Sequence, residues 1–380
     1  MNTNLRFLRI ISFILIIFFL SCENRKSKNN DTNFNTVKNF YAKCFKIEKN
    51  NAVTKLSIFD TEGILKNEYY LIDTEKEIPQ NIKNKSIIRV PVKKVICLST
   101  THIAFLDILD ETDKIIAVSG TQYVYSQILR KRIQKDEIKD VGYENSLDFE
   151  LLLSLKPDLV TVYDINGSIS PAINKLKQYH IPVVQINEYL EPSVLGQAEW
   201  LKFFAEFFNK SEFAKNKFAA VCKSYSELKK MTDTVTEKPT VLLNMPWKGT
   251  WYIPGGKSNV AQLIADAGGN YIWKNTEEQH NTALSIEEVY SEARQADFWL
   301  NPGQAKSIND IIGTDIRLKK FSALKTGEVF NRNNRLSPSG GNDYMESGTV
   351  RPDLILKDLI QILHPELIRN DSLFFYQKLK

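Results

Sequence analysis

Residues 93–120 read KKVICLSTTHIAFLDILDETDKIIAVSG. The run VICLS, Val95 to Ser99, is short and almost continuously apolar, which is typical of a strand buried in a parallel sheet. The next residues, HIAFLDILD, predict a helix, and IIAVSG predicts a second strand that ends at Gly120. A strand, a helix and a strand in this order predict a parallel sheet with helices on its faces.

The same alternation continues through both halves of the chain. SLDFELLLSLKPDLVTVY and INKLKQYHIPVVQIN each join a helix to a strand through a Pro break, and PTVLLNM, NVAQLIADAGG and LSIEEVYSEARQADFWLNPG repeat the order later. Between the halves, apolar residues recur every three or four positions from Ser211 to about Met231, which predicts a helix roughly 30 Å long. The predicted fold class is α/β, with two Rossmann-like lobes of mainly parallel sheet joined by one long helix.

The N-terminal segment has the pattern of an export signal. Arg6 and Arg9 precede an apolar run from Ile10 to Leu20, which is too short to span a membrane. The following FLSC resembles a bacterial lipobox, in which Cys22 is lipidated, although Phe19 stands where that pattern favours Leu. An ordinary secretory signal or a short anchor remains the alternative.

The pattern predicts six segments. Alternation of apolar and polar residues before residue 90 indicates a β-rich extension. The predicted boundaries are a signal peptide at 1–21, a tether at 22–40, the extension at 41–90, an N-terminal lobe at 91–195, linking helices at 196–235 and a C-terminal lobe at 236–380.

Composition and motifs exclude several function classes. The 380 residues contain 50 basic and 45 acidic side chains without a clustered basic stretch, so nucleic-acid binding is not expected. No Gly-x-Ser-x-Gly, paired cysteines or His-rich metal motif is present, and neither an enzyme, a cofactor nor a metal site is predicted. GGKS at 255–258 is not a phosphate loop, because Trp251 stands where that motif needs Gly. Cys44, Cys97 and Cys222 are expected to be free thiols.

From about residue 91 to 368 the chain resembles the class III substrate-binding proteins of ABC importers, which capture cobalamin, iron–siderophore complexes or haem. The resemblance rests on the 93–120 segment, DVGYENSLDFELLLSLKPDLV, LSIEEVYSEARQADFWL and RPDLILKDLIQILHPE, in that order. It implies a rigid linking helix and a monomeric, lipid-anchored protein on the extracytoplasmic face of a bacterial cell envelope. Such a protein delivers a ferric siderophore, haem or cobalamin to an ABC permease dimer. The alternatives are a surface capture lipoprotein without a permease and an enzyme on a similar fold.

Ligands of open parallel sheets bind beyond the carboxyl ends of the strands, where loops carry the side chains. Aromatic rings in these loops suit the faces of a corrin, a haem or a catecholate chelate. Arg335 and Lys248 are expected to pair with a negatively charged ligand, which slightly favours a siderophore. His102 is expected either to contact the ligand or to cap its own helix. The predicted ligand-binding residues are Thr101, His102, Tyr123, Tyr125, Tyr163, Tyr189, Trp247, Lys248, Trp251, Tyr252, Arg335 and Tyr344. Trp299 is expected in the core.

The resemblance also implies one docking acid on each lobe for the permease. Glu150, six residues before Lys156, matches the first position, and Glu287 matches the second. Asp148 and Glu288 are adjacent alternatives. Acidic residues are also common at helix N-termini without any docking role, because the helix dipole favours them there.

Overall fold

A computed structural model of the protein describes residues 33–143, 146–163, 170–369 and 371–380. The chain divides into two units, Met1–Phe34 and Asn35–Lys380, and every element named below belongs to the second. The predicted signal peptide and the lipidated Cys22 lie outside the described residues.

The second unit begins with a five-stranded sheet. Its strands are β1 (Asn35–Val37), β2 (Phe45–Lys49), β3 (Thr54–Phe59), β4 (Leu65–Asp73) and β5 (Ile87–Val90). They lie in chain order, and all neighbours pair antiparallel except β4 and β5, which are parallel. This sheet is the predicted β-rich extension, and its first strand lies within the stretch predicted as tether.

The first lobe is built on a five-stranded parallel sheet of order β10-β9-β6-β7-β8. Its strands are β6 (Val95–Cys97), β7 (Ile115–Val118), β8 (Lys139–Asp140), β9 (Leu159–Val162) and β10 (Val183–Gln185). The connecting helices are α1 (Thr100–Ile108), α2 (Gln127–Gln134), α3 (Phe149–Leu155) and α4 (Ser170–Gln178). The central strand β6 is wholly buried, as its apolar run predicts for a sheet covered on both faces.

Two helices follow, α5 (Val194–Ala205) and α6 (Ser211–Met231). Ala214 and Phe218 of α6 pack in the core of the first lobe, whereas Tyr225 packs in the core of the second. The Tyr225 hydroxyl donates a 2.7 Å hydrogen bond to Asp266 of the second lobe. The helix therefore joins the two cores, as the sequence predicts.

The β-rich sheet is fixed to α5 and to the segment just before it by two buried carboxylates, Glu199 and Glu191. Glu199 accepts hydrogen bonds of 2.7–3.0 Å from the backbone N–H groups of residues 40–42, and Glu191 accepts those of Lys43 and Cys44. The ring of Phe45 packs edge-on against Trp200, with centroids 4.9 Å apart. The extension is thus part of the same packed body as the first lobe.

The second lobe contains a sheet of order β13-β11-β15-β16-β17, parallel except for its last pair, and a separate antiparallel ribbon of β12 and β14. Its strands are β11 (Thr240–Leu243), β12 (Thr250–Pro254), β13 (Asn270–Tyr271), β14 (Asn281–Ser285), β15 (Phe298–Leu300), β16 (Val329–Asn331) and β17 (Gln377–Lys378). Its helices are α7 (Asn259–Asp266), α8 (Ile286–Ala293), α9 (Ile308–Thr314), α10 (Ser322–Thr326), α11 (Asp343–Ser347) and α12 (Pro352–Leu363). The two lobes match the predicted α/β class.

The GGKS segment forms a turn and a helix cap. Ser258 accepts a hydrogen bond from the backbone N–H of Ala261 and is the N-cap of α7. A Cβ at Gly255 would lie 2.0 Å from the carbonyl oxygen of Glu278, so only glycine allows this backbone approach. Glycine at position 255 is therefore explained by the local packing of the backbone.

Candidate functional site

A cleft of about 490 Å³ lies at the carboxyl ends of the first-lobe strands. Residues that follow β6, β7, β8, β9 and β10 all contribute, and Met345 reaches it from the second lobe. The lining residues are Leu98, Ser99, Thr100, Thr101, Ser119, Tyr123, Tyr143, Tyr163, Glu188, Tyr189 and Met345. Ligands of open parallel sheets bind at this edge, because the loops there are free to carry side chains held by the strands.

Four tyrosine rings form much of the cleft wall. Tyr123 and Tyr143 are about half exposed, with ring centroids 6.4 Å apart. Gly120, two residues after β7, adopts a positive φ of 71°, and a Cβ there would lie 2.7 Å from the ring of Tyr123. Glycine at this position therefore allows both the turn and the close packing of the ring.

Asp140 holds together the two loops that carry Tyr123 and Tyr143. Its carboxylate accepts hydrogen bonds from the backbone N–H groups of Gly120, Thr121 and Gly142, at 2.7–3.1 Å. Burial opposes ionisation of this group, but these N–H donors outweigh it and lower the pKa of Asp140. The loops are thus anchored by an ionised carboxylate.

Glu188 is the buried carboxyl of the cleft, at 4% exposure. It begins a 3₁₀ turn after β10, and its Oε1 accepts a 2.7 Å hydrogen bond from the Thr101 hydroxyl. The Thr101 and Ser99 hydroxyls are also within hydrogen-bond distance, at 2.9 Å. Burial raises the pKa of Glu188 to about 7, although the Thr101 hydroxyl acts in the opposite direction.

Four predicted residues line this cleft: Thr101, Tyr123, Tyr163 and Tyr189. The sequence interpretation missed Tyr143, because the preceding strand β8 has only two residues and its end is hard to recognise. It also missed Glu188, although the loop NEYLEPS was identified, because only the aromatic residue of that loop was selected.

His102 was predicted in the cleft but lies in the core. Its ring is fully buried beside Phe204, with centroids 5.8 Å apart. Burial lowers the pKa of His102 to about 3, so the ring is neutral. Successive helical residues point about 100° apart, so Thr101 can face the cleft while His102 faces the lobe interior. The prediction for His102 was wrong.

Trp251 was also predicted in the cleft and is fully buried in the second lobe. It stacks on Trp299, with centroids 5.4 Å apart, and its Nε1 donates to the carbonyl of Leu243 at 2.9 Å. The segment is strand β12, not a loop, and alternate side chains of a strand point to opposite faces. Trp251 therefore points inward while Tyr252 is 43% exposed. The prediction that Trp299 is in the core was correct.

Trp247 and Lys248 lie at the tip of a tight turn. Trp247 and Thr250 exchange two backbone hydrogen bonds, and the central residues Lys248 and Gly249 both have positive φ, of 49° and 83°. The Lys248 ammonium lies 4.5 Å from the Trp247 ring centre. Neither residue, nor Tyr252, is among the described residues that line the cleft.

Arg335, Tyr125 and Tyr344 lie elsewhere than predicted. Arg335 forms a 2.5 Å ion pair with Asp343, and its guanidinium lies 5.2 Å from the ring centre of Tyr125. Arg335 and Tyr125 line a second cavity of about 330 Å³. Tyr344 packs edge-on against Phe375, with centroids 5.6 Å apart. These three residues do not line the tyrosine-rich cleft, because local partners hold them.

The segment between β16 and α12 also contacts the first lobe. Glu346 accepts hydrogen bonds from the backbone N–H groups of Tyr125 and Ser126, at 2.7 and 2.9 Å. The Ser339 hydroxyl donates to the carbonyl of Gln122 at 2.8 Å. Burial raises the pKa of Glu346 to about 8 despite the two N–H donors.

The four candidate docking acids differ in their local roles. Asp148 caps α3 by accepting from the N–H of Leu151, and Glu288 forms a capping box with Ser285 at the start of α8. Glu150 and Glu287 are both exposed in the first turns of these helices, and Glu287 is paired with Arg317. The helix caps engage Asp148 and Glu288, and Arg317 engages Glu287, while all four acids remain exposed.

Within residues 33–143, 146–163, 170–369 and 371–380, no group of three or more His, Cys, Asp or Glu side chains is arranged to hold a metal ion. Over the same ranges, no helix has the length and hydropathy needed to cross a membrane.

Comparison with known proteins gives consistent matches. The family model described as "Periplasmic binding protein" matches residues 95–336. The uncharacterised lipoprotein MJ0878 of Methanocaldococcus jannaschii is 27% identical over 326 residues, which is 82% of this chain and 76% of that protein.

Solved structures share the fold. A periplasmic haem-binding protein from Pseudomonas aeruginosa has a TM-score of 0.59 with 14% identity, over 76% of this chain and 98% of its own. The periplasmic vitamin B12-binding protein BtuF of Vibrio cholerae has a TM-score of 0.52 with 15% identity, over 73% and 99%. The family match covers more than half of the chain, and the protein is therefore a member of the periplasmic binding protein family.

Proposed function

We propose that this protein captures a metal complex in the tyrosine-rich cleft and delivers it to an ABC permease dimer. The ligand is a ferric siderophore, a haem or a cobalamin. The ligand-binding residues that we propose are Thr101, Tyr123, Tyr163 and Tyr189 from the sequence, with Tyr143 and Glu188 added from the structure.

One observation carries this proposal. Four tyrosine rings converge at the carboxyl edge of a parallel sheet, around a cavity of about 490 Å³. Tyrosine covers a flat ligand face with little loss of conformational entropy and keeps a hydroxyl for hydrogen bonding. Two of the similar structures are of a haem-binding and a vitamin B12-binding protein, and both ligands are large planar metal complexes.

Two features would serve delivery to the permease, namely an exposed acid on each lobe and a lipid anchor at the N-terminus. Glu150 and Glu287 are exposed acids, one on each lobe, and would orient the protein on basic surfaces of the permease. Cys22 would carry a lipid that holds the protein on the extracytoplasmic face of the cell envelope. The relative MJ0878 is itself named a lipoprotein, which supports the anchor.

Equilibrium dialysis of the detergent-solubilised full chain tests this function, because the candidate ligands absorb visible light. Cyanocobalamin, haemin, a ferric trihydroxamate and a ferric tris-catecholate are compared. We expect at least one to bind with a dissociation constant of about 1 μM or lower. Tyr123→Ala with Tyr189→Ala should weaken that binding at least about tenfold, since large aromatic contacts dominate such sites.

Tyr252→Ala is the matched control, because this exposed tyrosine does not line the cleft. Failure of all four complexes to bind would overturn the proposed function. Binding that survives the double substitution unchanged would show that the ligand site is not this cleft.

A further inference from the structure

The described wall of the tyrosine-rich cleft carries an acidic side chain and no basic one. Among its described lining residues, Glu188 is the one carboxyl side chain, and none is Lys, Arg or His. The other polar groups are hydroxyls of Ser, Thr and Tyr. Hydroxyls can serve any ligand as donor or acceptor, so the charge of this described wall comes from Glu188, which is ionised above its pKa of about 7.

The cations predicted to neutralise an anionic ligand are engaged elsewhere. Arg335 is paired with Asp343 and lines the second cavity, and Lys248 packs over the ring of Trp247. The described wall of the tyrosine-rich cleft therefore contains no positive charge to offset a propionate or a catecholate. An anion placed there would meet Glu188 without a compensating partner, and like charges in a partly buried site repel each other.

Glu188 also has an acceptor atom without a well-aligned donor. Oε1 is held by the Thr101 hydroxyl, whereas the buried Oε2 has no hydrogen bond of good geometry among the described residues, and the backbone N–H groups of Glu188 and Tyr189 act on the carboxyl only by lowering its pKa. A buried acceptor without a donor costs free energy that a ligand donor would recover. The side chain is held in place from two elements, since Thr101 belongs to α1 and Glu188 to the turn after β10.

We infer that the cleft selects a neutral or cationic metal complex whose rim carries N–H or O–H donors, one of which binds Oε2 of Glu188. This inference rests on the proposed function and narrows its ligand class. Corrinoids with carboxamide arms and hydroxamate chelates with an ammonium group have these properties. Haem, with its propionates, and ferric tris-catecholates do not. The cationic ligand group is also attracted to the faces of the tyrosine rings.

Ligand pairs in which one member carries an added carboxylate test this inference on the full chain. One pair is cyanocobalamin and its derivative with one carboxamide hydrolysed to a carboxylate, and the other is ferrioxamine B and its N-succinyl derivative. Binding is measured by equilibrium dialysis at pH 8, where a carboxyl with a pKa of about 7 is ionised. In at least one pair the less anionic member should bind about tenfold tighter or more, as expected for one unscreened charge contact.

Glu188→Gln keeps the shape of the side chain and removes its charge. The affinity ratio within the pair should then fall below about threefold, while Glu150→Gln, an exposed acid on the same lobe, should leave the ratio unchanged. The ratio in the unmodified chain does not depend on any variant folding correctly.

The outcomes separate the inference from the proposed function. Equal or tighter binding of the anionic members would overturn the inference while leaving metal-complex capture intact. A charge preference that persists in Glu188→Gln would also overturn it, because another group would then be responsible. Failure of every probe to bind, haemin and the ferric tris-catecholate included, would overturn the proposed function and this inference with it.

Discussion

Oε2 of Glu346 accepts a 2.7 Å hydrogen bond from the backbone N–H of Tyr125, a residue 221 positions earlier in the chain. The neighbouring Gly341 lies so close to the first lobe that a Cβ there would be 2.5 Å from the carbonyl oxygen of Val124. The second lobe is thus joined to the first at this loop as well as through α6. Two separate connections restrict relative movement of the lobes more than one helix would.

The Glu346 contact predicts a pH dependence of stability. Burial raises its pKa from 4.5 to about 8, with smaller contributions from Asp343 and Asp107. A carboxyl whose pKa is higher in the folded state than in the unfolded state loses its stabilising contribution as the pH rises through that interval. The free energy of unfolding of the protein should therefore decrease between about pH 5 and pH 8.

Glu346→Gln should reduce this dependence by at least about 1 kcal/mol, the equivalent of one pKa unit. Urea unfolding at pH 5 and pH 8.5 measures the difference, with the exposed Glu212→Gln as control. Parallel pH profiles for the protein and Glu346→Gln would contradict the prediction.

Trp251 and Tyr252 are adjacent on β12 and should respond differently to truncation. Trp251→Ala removes a fully buried ring that stacks on Trp299, and should cost about 3–5 kcal/mol of unfolding free energy. Tyr252→Ala removes a ring that is 43% exposed and should cost less than about 1 kcal/mol. Chemical denaturation measures both, and similar losses would show that the ribbon is not oriented as described.

Glu199 should be essential for attachment of the β-rich extension. Its buried carboxylate binds three backbone N–H groups and forms an ion pair with Lys202. Glu199→Ala leaves those backbone donors without an acceptor and the buried Lys202 with only a long 3.4 Å contact to the carbonyl of Lys38, and should cost about 3–5 kcal/mol. Limited proteolysis should then cleave within residues 33–90 faster than in the exposed Glu227→Ala control. An unchanged cleavage rate would mean that other contacts hold the extension.

The proposed docking acids should affect transport but not ligand capture. Glu150→Ala with Glu287→Ala removes two exposed carboxylates that lie outside the described lining of the cleft. Ligand affinity should stay within about twofold, while uptake by cells that carry the permease should fall at least about tenfold. The control pair is Asp148→Asn with Glu288→Gln, which alters the helix caps. Weaker ligand binding in the Glu150 and Glu287 variant would place those acids at the ligand instead.

Much of the fold could be predicted from local patterns. Strand, helix and strand spacing identified both lobes, and the period of apolar residues located α6 from Ser211 to Met231, with the bounds that the structure shows. These predictions succeeded because periodicity reports which side of an element is buried, and that depends on neighbours a few residues apart. The short strand β8 and the ribbon strand β12 were missed, since two to five residues carry too little pattern.

The site was predicted only in part, for a geometric reason. Loops at the carboxyl ends of strands were identified correctly as the edge where the cleft lies, and Thr101, Tyr123, Tyr163 and Tyr189 line it. His102 was assigned to the cleft along with Thr101, although one helical step separates a cleft-facing position from a core-facing one. Arg335 was predicted to meet the ligand, but Asp343, eight positions away, pairs with it.

The amino-acid sequence by itself therefore determines the α/β class, the two lobes, the linking helix and the edge at which a ligand can bind. Each of these features follows from short-range periodicity and strand polarity. The direction of each side chain and its partners depends on contacts between distant segments. Glu188 shows the difference most clearly: its burial beside Thr101, 87 positions away, brings a carboxyl into the cleft and removes it from water. No pattern within either segment predicts that contact, because it forms only when the ends of β6 and β10 are brought together in the folded sheet.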